Sequence, residues 1–190
     1  MTAARQTDPV LIRREQPGDV ARIREVHSHA FRRSERPDLD PPEAQLVDDL
    51  RASDDWIPEL SLVAIDAGDR DGKIVGHVVC SRGVILPATP VLGLGPLGVD
   101  PDRQRREVGK ALMHAVIGAA DAMGERFIAL LGSPAYYPRF GFVCSADHGI
   151  QPPNPLYGEH FQVRTLTAHD PLITGTFRYA AAFDATEGVT

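Results

Sequence analysis

An apolar run that contains three glycines and a proline constrains this chain more than any other feature of its sequence. The run, VLGLGPLGV, spans residues 91–99. Its aliphatic residues suit a central strand, but proline lacks the N–H group that a regular ladder needs, and glycine permits bulges and close approach by another backbone or a ligand. We therefore expect a distorted strand whose outer backbone groups stay partly unpaired. On this run alone, an edge strand without a ligand is the alternative.

An arginine-rich turn follows the run and leads into an amphipathic helix. The sequence DPDRQRREVGKAL covers residues 100–112, and the apolar spacing predicts a helix from about Arg106 to Met123. A helix N-terminus exposes unpaired N–H groups and the positive end of the helix dipole, so it attracts phosphate. Further positive charge comes from Arg103, Arg105, Arg106 and Lys110. A solvated basic turn without a ligand is the other interpretation of this pattern.

The remaining patterns predict one domain. A chain of 190 residues is long enough for one substantial core and too short for two ordinary domains. We expect residues 1–9 to form a flexible tail and residues 10–190 to form the domain. Strands are predicted at residues 10–14, 60–66, 73–86, 127–132, 161–166 and near 177–182, and helices up to Phe31, from Pro42 to near Ser53, and from Ser133 to near Gly141.

Charge and cysteine content exclude several classes of function. A net charge of −6 argues against general binding to nucleic acids or anionic membranes. The two cysteines, Cys80 and Cys144, lie far apart and form no Cys-x-x-Cys pair, so neither a disulfide framework nor a zinc site is indicated. The sequence also contains no apolar segment of signal-peptide or membrane-spanning length. We therefore expect a soluble cytoplasmic protein that binds no metal.

Two motifs resemble the signatures of one enzyme superfamily. The pattern V-x-P-x-x-Q-x-x-x-V-G-x-x-L over residues 99–112, together with the glycine-interrupted strand before it, resembles the acyl-CoA-binding motif of the GCN5-related N-acetyltransferases (GNAT). The segment AYYPRFGF over residues 135–142 resembles the second signature of that superfamily, and the chain looks most like its YhbS-type bacterial subgroup. The resemblance implies a single-domain α/β fold of α+β layers, with a mixed, mostly antiparallel sheet flanked by helices and a terminal strand region at residues 179–183.

The resemblance also implies a role for each matching position. The backbone of Leu97 and Val99 would pair with the pantetheine arm of acetyl-CoA, and the Leu97 N–H would polarise the thioester carbonyl. Amides from Gln104 through Lys110 would hold the pyrophosphate. Tyr137 would act as general acid, whereas we expect Tyr136 to pack in the core. The implied acetyl-CoA-binding set is Leu97, Gly98, Val99, Gln104, Arg105, Arg106, Glu107, Val108, Gly109 and Lys110.

Glu107 stands where the superfamily pattern has the first glycine of the phosphate cradle. A carboxylate near a helix start is favourable by roughly 0.3–1 kcal/mol through the helix dipole. The same charge would repel phosphate, although solvent and salt weaken that repulsion at an exposed site. We therefore expect weakened or reshaped binding, unless the helix starts in a conformation that only glycine tolerates.

No motif identifies the general base. The candidates are Glu43, His27, His29 and His77. His27 and His29 are two residues apart on one predicted helix and point in different directions, so they are unsuited to bind one metal ion. No histidine pattern accompanies the two cysteines, and we expect both thiols to be buried rather than nucleophilic.

The predicted function is acyl-CoA-dependent N-acyl transfer, with acetyl-CoA as cosubstrate and a small-molecule or peptide amine as acceptor. The alternative is a non-catalytic acyl-CoA-binding or regulatory module of the same fold, and Glu107 is the residue that favours it. The resemblance is compatible with a homodimer. Residues 30–53 and 156–182 lie where the superfamily usually sets specificity, but their mixed charge identifies no acceptor.

Overall fold

The computed structural model of the chain describes residues 9–34, 39–69 and 71–185. Most of the predicted tail, residues 1–8, lies outside this part of the chain. Within the described residues, no helix combines the length and the hydropathy that crossing a bilayer requires.

The elements follow one another largely as the patterns predict. The strands are β1 Val10–Arg14, β2 Trp56–Asp66, β3 Ile74–Ile85, β4 Thr89–Val99, β5 Phe127–Leu131, β6 Val143–Cys144, β7 Ile150–Gln151, β8 Phe161–Thr165 and β9 Gly175–Arg178. The helices are α1 Val20–Ala30, α2 Pro42–Arg51 and α3 Val108–Ala122.

The strands of the described residues form one mixed sheet. Its order is β1-β2-β3-β4-β5-β8-β6, and β9 pairs with both β3 and β7. Most neighbours are antiparallel, whereas β4 with β5 and β7 with β9 are parallel. This topology confirms the predicted fold class.

Helices cover both faces of the sheet, as the alternating side chains of β2 show. Leu62 and Ala64 belong to the largest hydrophobic cluster, together with Leu112 of α3. Val63 points to the opposite face of the sheet, where it packs with Ile23 of α1. Because successive strand residues face opposite sides, α3 covers one face, and α1 with α2 covers the other.

The central strand β4 changes its pairing part-way along its length. It pairs with β3 from Thr89 to Val99, but with β5 only at Leu92 and Gly93. Against β3, the register shifts by one residue within segment 94–97, so β4 carries a bulge there. Beyond Gly93, no strand of the described residues pairs with the β5-facing edge of β4. The predicted distorted strand with a partly unpaired edge is thus confirmed.

Two predicted elements are shorter or different in the structure. The tyrosine-bearing helix is a turn followed by the 3₁₀ segment Tyr137–Phe140. The predicted last strand ends at Arg178, and residues Ala181–Ala185 form a 3₁₀ turn instead of the expected terminal strand region. The reason is tertiary, because Ala180 packs with Leu46 of α2 and draws the chain off the sheet.

Candidate active site

The open edge of β4 presents backbone groups that pair with no strand of the described residues. The Asp100 N–H donates to the Val75 carbonyl at 2.9 Å, which makes Gly76 and Val99 a non-hydrogen-bonded pair of the antiparallel ladder. By alternation, Leu97 and Val99 direct their N–H and C=O groups away from β3, towards the space from which β5 has diverged. An extended amide chain that adds alongside β4 can pair with these groups, once the Gln104 side chain has left the Val99 carbonyl.

The start of α3 supplies a second set of free donors. The first intrahelical bond runs from the Ala111 N–H to the Glu107 carbonyl at 2.9 Å. The N–H groups of Val108, Gly109 and Lys110 therefore have no partner within the helix. A Cβ added to Gly109 would lie 3.2 Å from the Tyr136 hydroxyl, so glycine keeps this approach open. Such a helix end suits a phosphate group.

A cavity of about 560 Å³ lies over this helix start, and we call it the cradle cavity. Its wall contains six residues of the predicted set: Val99, Gln104, Arg105, Glu107, Gly109 and Lys110. Tyr136 and Arg139 complete it. The Arg139 guanidinium lies 4.8 Å from the centre of the Tyr136 ring, and its Nε donates to the Tyr136 carbonyl at 2.8 Å. Arg139 was not among the predicted site residues, although it stands within the AYYPRFGF signature.

Four residues of the predicted set lie outside the wall of this cavity. Leu97 lines a second cavity, Gly98 is buried under α1, Val108 belongs to the core, and Arg106 is exposed. Arg103, expected to add positive charge at the turn, pairs instead with Asp66 at 2.5 Å.

Gln104 is engaged on both its backbone and its side chain. Its N–H donates to the Pro101 carbonyl at 3.3 Å, and its Nε2 donates to the Val99 carbonyl at 3.1 Å. A ligand that pairs with Val99 therefore has to displace the Gln104 side chain.

Glu107 adopts a backbone conformation that favours glycine. Its φ of 68° and ψ of 2° lie in the left-handed region, which costs a residue with a Cβ about 1–2 kcal/mol. This conformation gives a physical reason for the glycine of the superfamily pattern. The Glu107 carboxylate pairs with the Lys110 ammonium at 2.9 Å, and this contact offsets part of its negative charge.

The adjacent residues Tyr136 and Tyr137 line different cavities. Tyr136, which we expected in the core, packs against it with one side of its ring and lines the cradle cavity with the other. Tyr137 lines the second cavity. Burial, reinforced by Tyr136, raises the pKa of Tyr137 to about 12, so its hydroxyl stays protonated at neutral pH and can donate a proton.

The second cavity has a volume of about 300 Å³, and we call it the aromatic cavity. It is bounded by segment 94–97 of β4, the first turns of α2, the C-terminal end of α1, Leu131, and the aromatic residues Tyr137, Tyr157, Tyr179 and Phe183. Leu97 lies in its wall and Val99 lies in the wall of the cradle cavity, so the open edge of β4 connects the two.

The four candidates for the general base lie at three different places in the structure. Glu43 lines the aromatic cavity. His27 and His77 are fully buried between α1 and the sheet, with His27 Nε2 2.8 Å from His77 Nδ1, and burial is the main cause that lowers the pKa of each. His29 lies near Asp100, at 3.5 Å, on a different surface. The His27–His77 contact was not predicted, because 50 residues separate the two histidines along the chain.

The cysteines do not form a nucleophilic site. Cys80 is fully buried in the main core, and burial raises the pKa of its thiol far above the ordinary value, as expected for an unreactive thiol. Cys144 is only half-buried, in β6, so the expectation of burial holds fully for Cys80 alone.

Comparison with known proteins identifies the family. The sequence model of the acetyltransferase (GNAT) family matches residues 22–142, which is more than half of the chain. The chain is 36% identical over 169 residues to the N-acetyltransferase YjhQ of Escherichia coli K12, covering 85% of this chain and 87% of YjhQ. It is 33% identical over 146 residues to the N-acetyltransferase YhbS of the same organism, covering 75% of this chain and 83% of YhbS.

Solved structures agree with the sequence relatives. The GNAT family N-acetyltransferase YhbS from Escherichia coli, in complex with CoA, matches with a TM-score of 0.80 and 30% identity over 94% of this chain and 96% of that one. A GNAT family acetyltransferase from Brucella melitensis, in complex with acetyl-CoA, matches with a TM-score of 0.73 and 32% identity, over 93% of this chain and 99% of that one. These relatives confirm the resemblance and favour an enzyme over a non-catalytic module. The chain therefore belongs to the acetyltransferase (GNAT) family and is an N-acetyltransferase.

Proposed function

We propose that this enzyme transfers an acetyl group from acetyl-CoA to a primary amine by direct attack of the amine on the thioester. The observation that carries the proposal is the open edge of β4, which runs from a helix N-terminus in the cradle cavity to a protonated tyrosine in the aromatic cavity. The relatives solved with CoA and acetyl-CoA support the same cosubstrate.

The cradle cavity suits the pyrophosphate of acetyl-CoA. Three helix-start N–H groups, from Val108, Gly109 and Lys110, are without intrahelical partners, and the dipole of α3 adds positive potential. Arg105 and Arg139 bring two further cations to the wall. The pantetheine arm would then pair with Val99 and Leu97 once the Gln104 side chain has moved from the Val99 carbonyl.

The residues at the junction of the cavities support the transfer step. As the amine nitrogen bonds to the thioester carbon, the Leu97 N–H would donate to the developing oxyanion. As the carbon–sulfur bond breaks, Tyr137 would give its hydroxyl proton to the departing thiolate. A phenol with a pKa of about 12 keeps its proton at neutral pH, so the proton is present when negative charge develops on the sulfur.

Replacing Tyr137 by phenylalanine tests this assignment. Tyr137→Phe should reduce kcat by about 10²-fold or more, because the thiolate then leaves without its proton donor. The affinity for acetyl-CoA, measured by calorimetric titration, should change little, because the phenol lies in the aromatic cavity rather than in the cradle cavity. Turnover is followed as release of free CoA thiol in the presence of a panel of amines.

Two outcomes would contradict the proposal. An absence of heat or of a thermal shift at millimolar acetyl-CoA would exclude it as the cosubstrate. An unchanged kcat in Tyr137→Phe would remove Tyr137 from the mechanism while leaving the transfer reaction itself in place.

A further inference from the structure

The aromatic cavity contains one carboxylate whose hydrogen bonding is incomplete. Glu43 lies in the first turn of α2 and lines the cavity. Its Oε2 is buried and has no hydrogen-bond partner among the described residues. The N-terminal dipole of α2 suits a negative charge there, but it gives Oε2 no donor. A buried carboxylate oxygen without a donor costs free energy, which a ligand with N–H groups would recover.

The surroundings of Glu43 are predominantly apolar and aromatic. Leu46 follows one turn later on α2, and Phe31 lies at the end of α1. The rings of Tyr179 and Phe183 stack with their centres 4.5 Å apart and form a further part of the wall. Aromatic faces stabilise a cation and bury an apolar group equally well. The wall therefore suits a ligand with one positive charge and a non-polar body.

The charge balance of the cavity limits the ligand further. Among the described residues of the wall, the charged side chains are Glu43 and Arg33, and Arg33 is already engaged in another interaction. A polyamine or an aminoglycoside would bring several ammonium groups against this single carboxylate, and each unpaired buried charge is costly. A volume of about 300 Å³ is at the lower end of the range for ligand cavities, so the bound part of the acceptor is small.

We propose that the acceptor is a small primary amine with a single ammonium group and an apolar, preferably aromatic, body, and that Glu43 binds this ammonium and accepts its first proton. The inference rests on the proposed acetyl transfer and adds the acceptor class and the general base.

The ammonium gives one proton to the Glu43 carboxylate, which later releases it to solvent. The neutral amine then forms the carbon–nitrogen bond, the carbon–sulfur bond breaks, and the thiolate takes the Tyr137 proton. The second proton lost by the nitrogen restores the Tyr137 hydroxyl. The products are the N-acetylated amine, CoA thiol and one proton in solution.

The test compares 2-phenylethylamine with phenylalanine and spermidine as acceptors. Phenylalanine has the same aromatic body with an added carboxylate, and spermidine has added ammonium groups. We expect kcat/KM for 2-phenylethylamine to exceed the other two by about tenfold or more. Glu43→Gln should raise its KM, reduce kcat/KM by about 100-fold and make kcat/KM rise more steeply with pH, because only free amine can then react, whereas Glu43→Asp should restore part of the rate.

A matched variant separates this effect from a general loss of charge. Glu59 lies on β2 with an exposed carboxylate 3.8 Å from Arg14, so Glu59→Gln should leave all three acceptors unchanged. The affinity for acetyl-CoA should be equal in the wild type, Glu43→Gln and Glu59→Gln. If Glu43→Gln keeps its rate and pH profile, or if spermidine or phenylalanine is the better acceptor, the inference fails while acetyl transfer stands.

A binding experiment tests the acceptor site in the case that no turnover is found. If no amine is acetylated, the proposed function fails, and calorimetric titration of 2-phenylethylamine into the CoA-saturated protein still tests the acceptor site. Binding that is lost in Glu43→Gln and kept in Glu59→Gln would support the site. An absence of binding to the wild type would overturn it.

Discussion

At the scale of single residues, Glu107 combines an electrostatic and a conformational disadvantage. Its carboxylate lies in the wall of the cradle cavity, and its backbone is left-handed at the start of α3. The ion pair with Lys110 is partly exposed, and such pairs contribute about 0–1 kcal/mol. The two disadvantages can be separated by experiment, because glycine removes both and glutamine removes only the charge.

The variants Glu107→Gly and Glu107→Gln should therefore differ in stability but not in ligand affinity. Both should bind acetyl-CoA about three- to tenfold more tightly at low salt, and the gain should shrink as salt screens the charge. Only Glu107→Gly should raise the free energy of unfolding, by about 1 kcal/mol, because it alone relieves the left-handed strain. Calorimetric titration and urea denaturation measure the two effects. Equal stability of the two variants would contradict the conformational argument.

At the scale of elements, strand β4 contacts three neighbours, β3, β5 and α1, which together leave one of its edges open to a ligand. β3 holds one edge of the strand along its whole length, and β5 leaves the other edge at Gly93. On the α1 face, His27 lies against Gly98, where an added Cβ would come within 2.7 Å of His27 Nδ1. Buried His27 thus sets the distance between α1 and β4.

Gly98→Ala should consequently destabilise the fold by about 1–3 kcal/mol through overpacking against His27. Because the clash would push β4 away from α1, the affinity for acetyl-CoA should fall as well. In a His27→Ala background the same substitution should cost distinctly less, since the imidazole that it meets is gone. Urea denaturation of the four proteins in this double-mutant cycle measures the coupling, and additive costs would contradict the proposed contact.

At the scale of the whole molecule, a buried polar network joins Glu15, which follows β1, to α2, β2, β3 and α1. The Arg51 Nε donates to Glu15 at 2.6 Å, the Ser61 hydroxyl donates to the same carboxylate at 2.5 Å, and His77 continues the chain to His27. Burial opposes ionisation of Glu15, but the contacts of its carboxylate with His77, Arg51 and Ser61 outweigh it and lower its pKa to about 2.

This network predicts a loss of stability on acidification in two stages. The unfolded chain takes up protons on its histidines near pH 6.5, whereas buried His27 and His77 resist protonation. Below that pH the unfolded state binds more protons, so the free energy of unfolding should fall by about 1.4 kcal/mol per pH unit for each histidine that stays neutral. The stabilisation from Glu15 is present above its ordinary pKa of 4.5 and should be lost as the pH falls towards 2.

Urea denaturation at a series of pH values measures this dependence. His77→Gln keeps hydrogen-bonding groups but cannot take up a proton, so its stability should depend less steeply on pH between 6.5 and 5, whatever its absolute value. The same slope in both proteins would show that the pH dependence arises elsewhere.

The sequence alone was sufficient wherever the information is local. The glycines of β4 and the apolar spacing of α3 predicted the distorted strand and the helix, because periodicity and missing donors act within a few residues. The resemblance of the two motifs implied the fold class and six of the residues that line the cradle cavity. The acceptor and the general base were not predicted. Tyr136 and Arg139 were not predicted as cavity residues. The direction of a side chain in the turn at Tyr136 and in the 3₁₀ segment after it depends on what packs beneath them.

Tertiary structure decided what depends on groups that are distant along the chain. It brought Glu43 into one cavity with Tyr137, joined His27 to His77, turned Arg103 towards Asp66, and ended the last strand at Arg178. It also held Glu107 in a conformation that its residue type disfavours. Local preferences are worth about 1–2 kcal/mol or less per residue, so packing and buried hydrogen bonds override them wherever the two conflict.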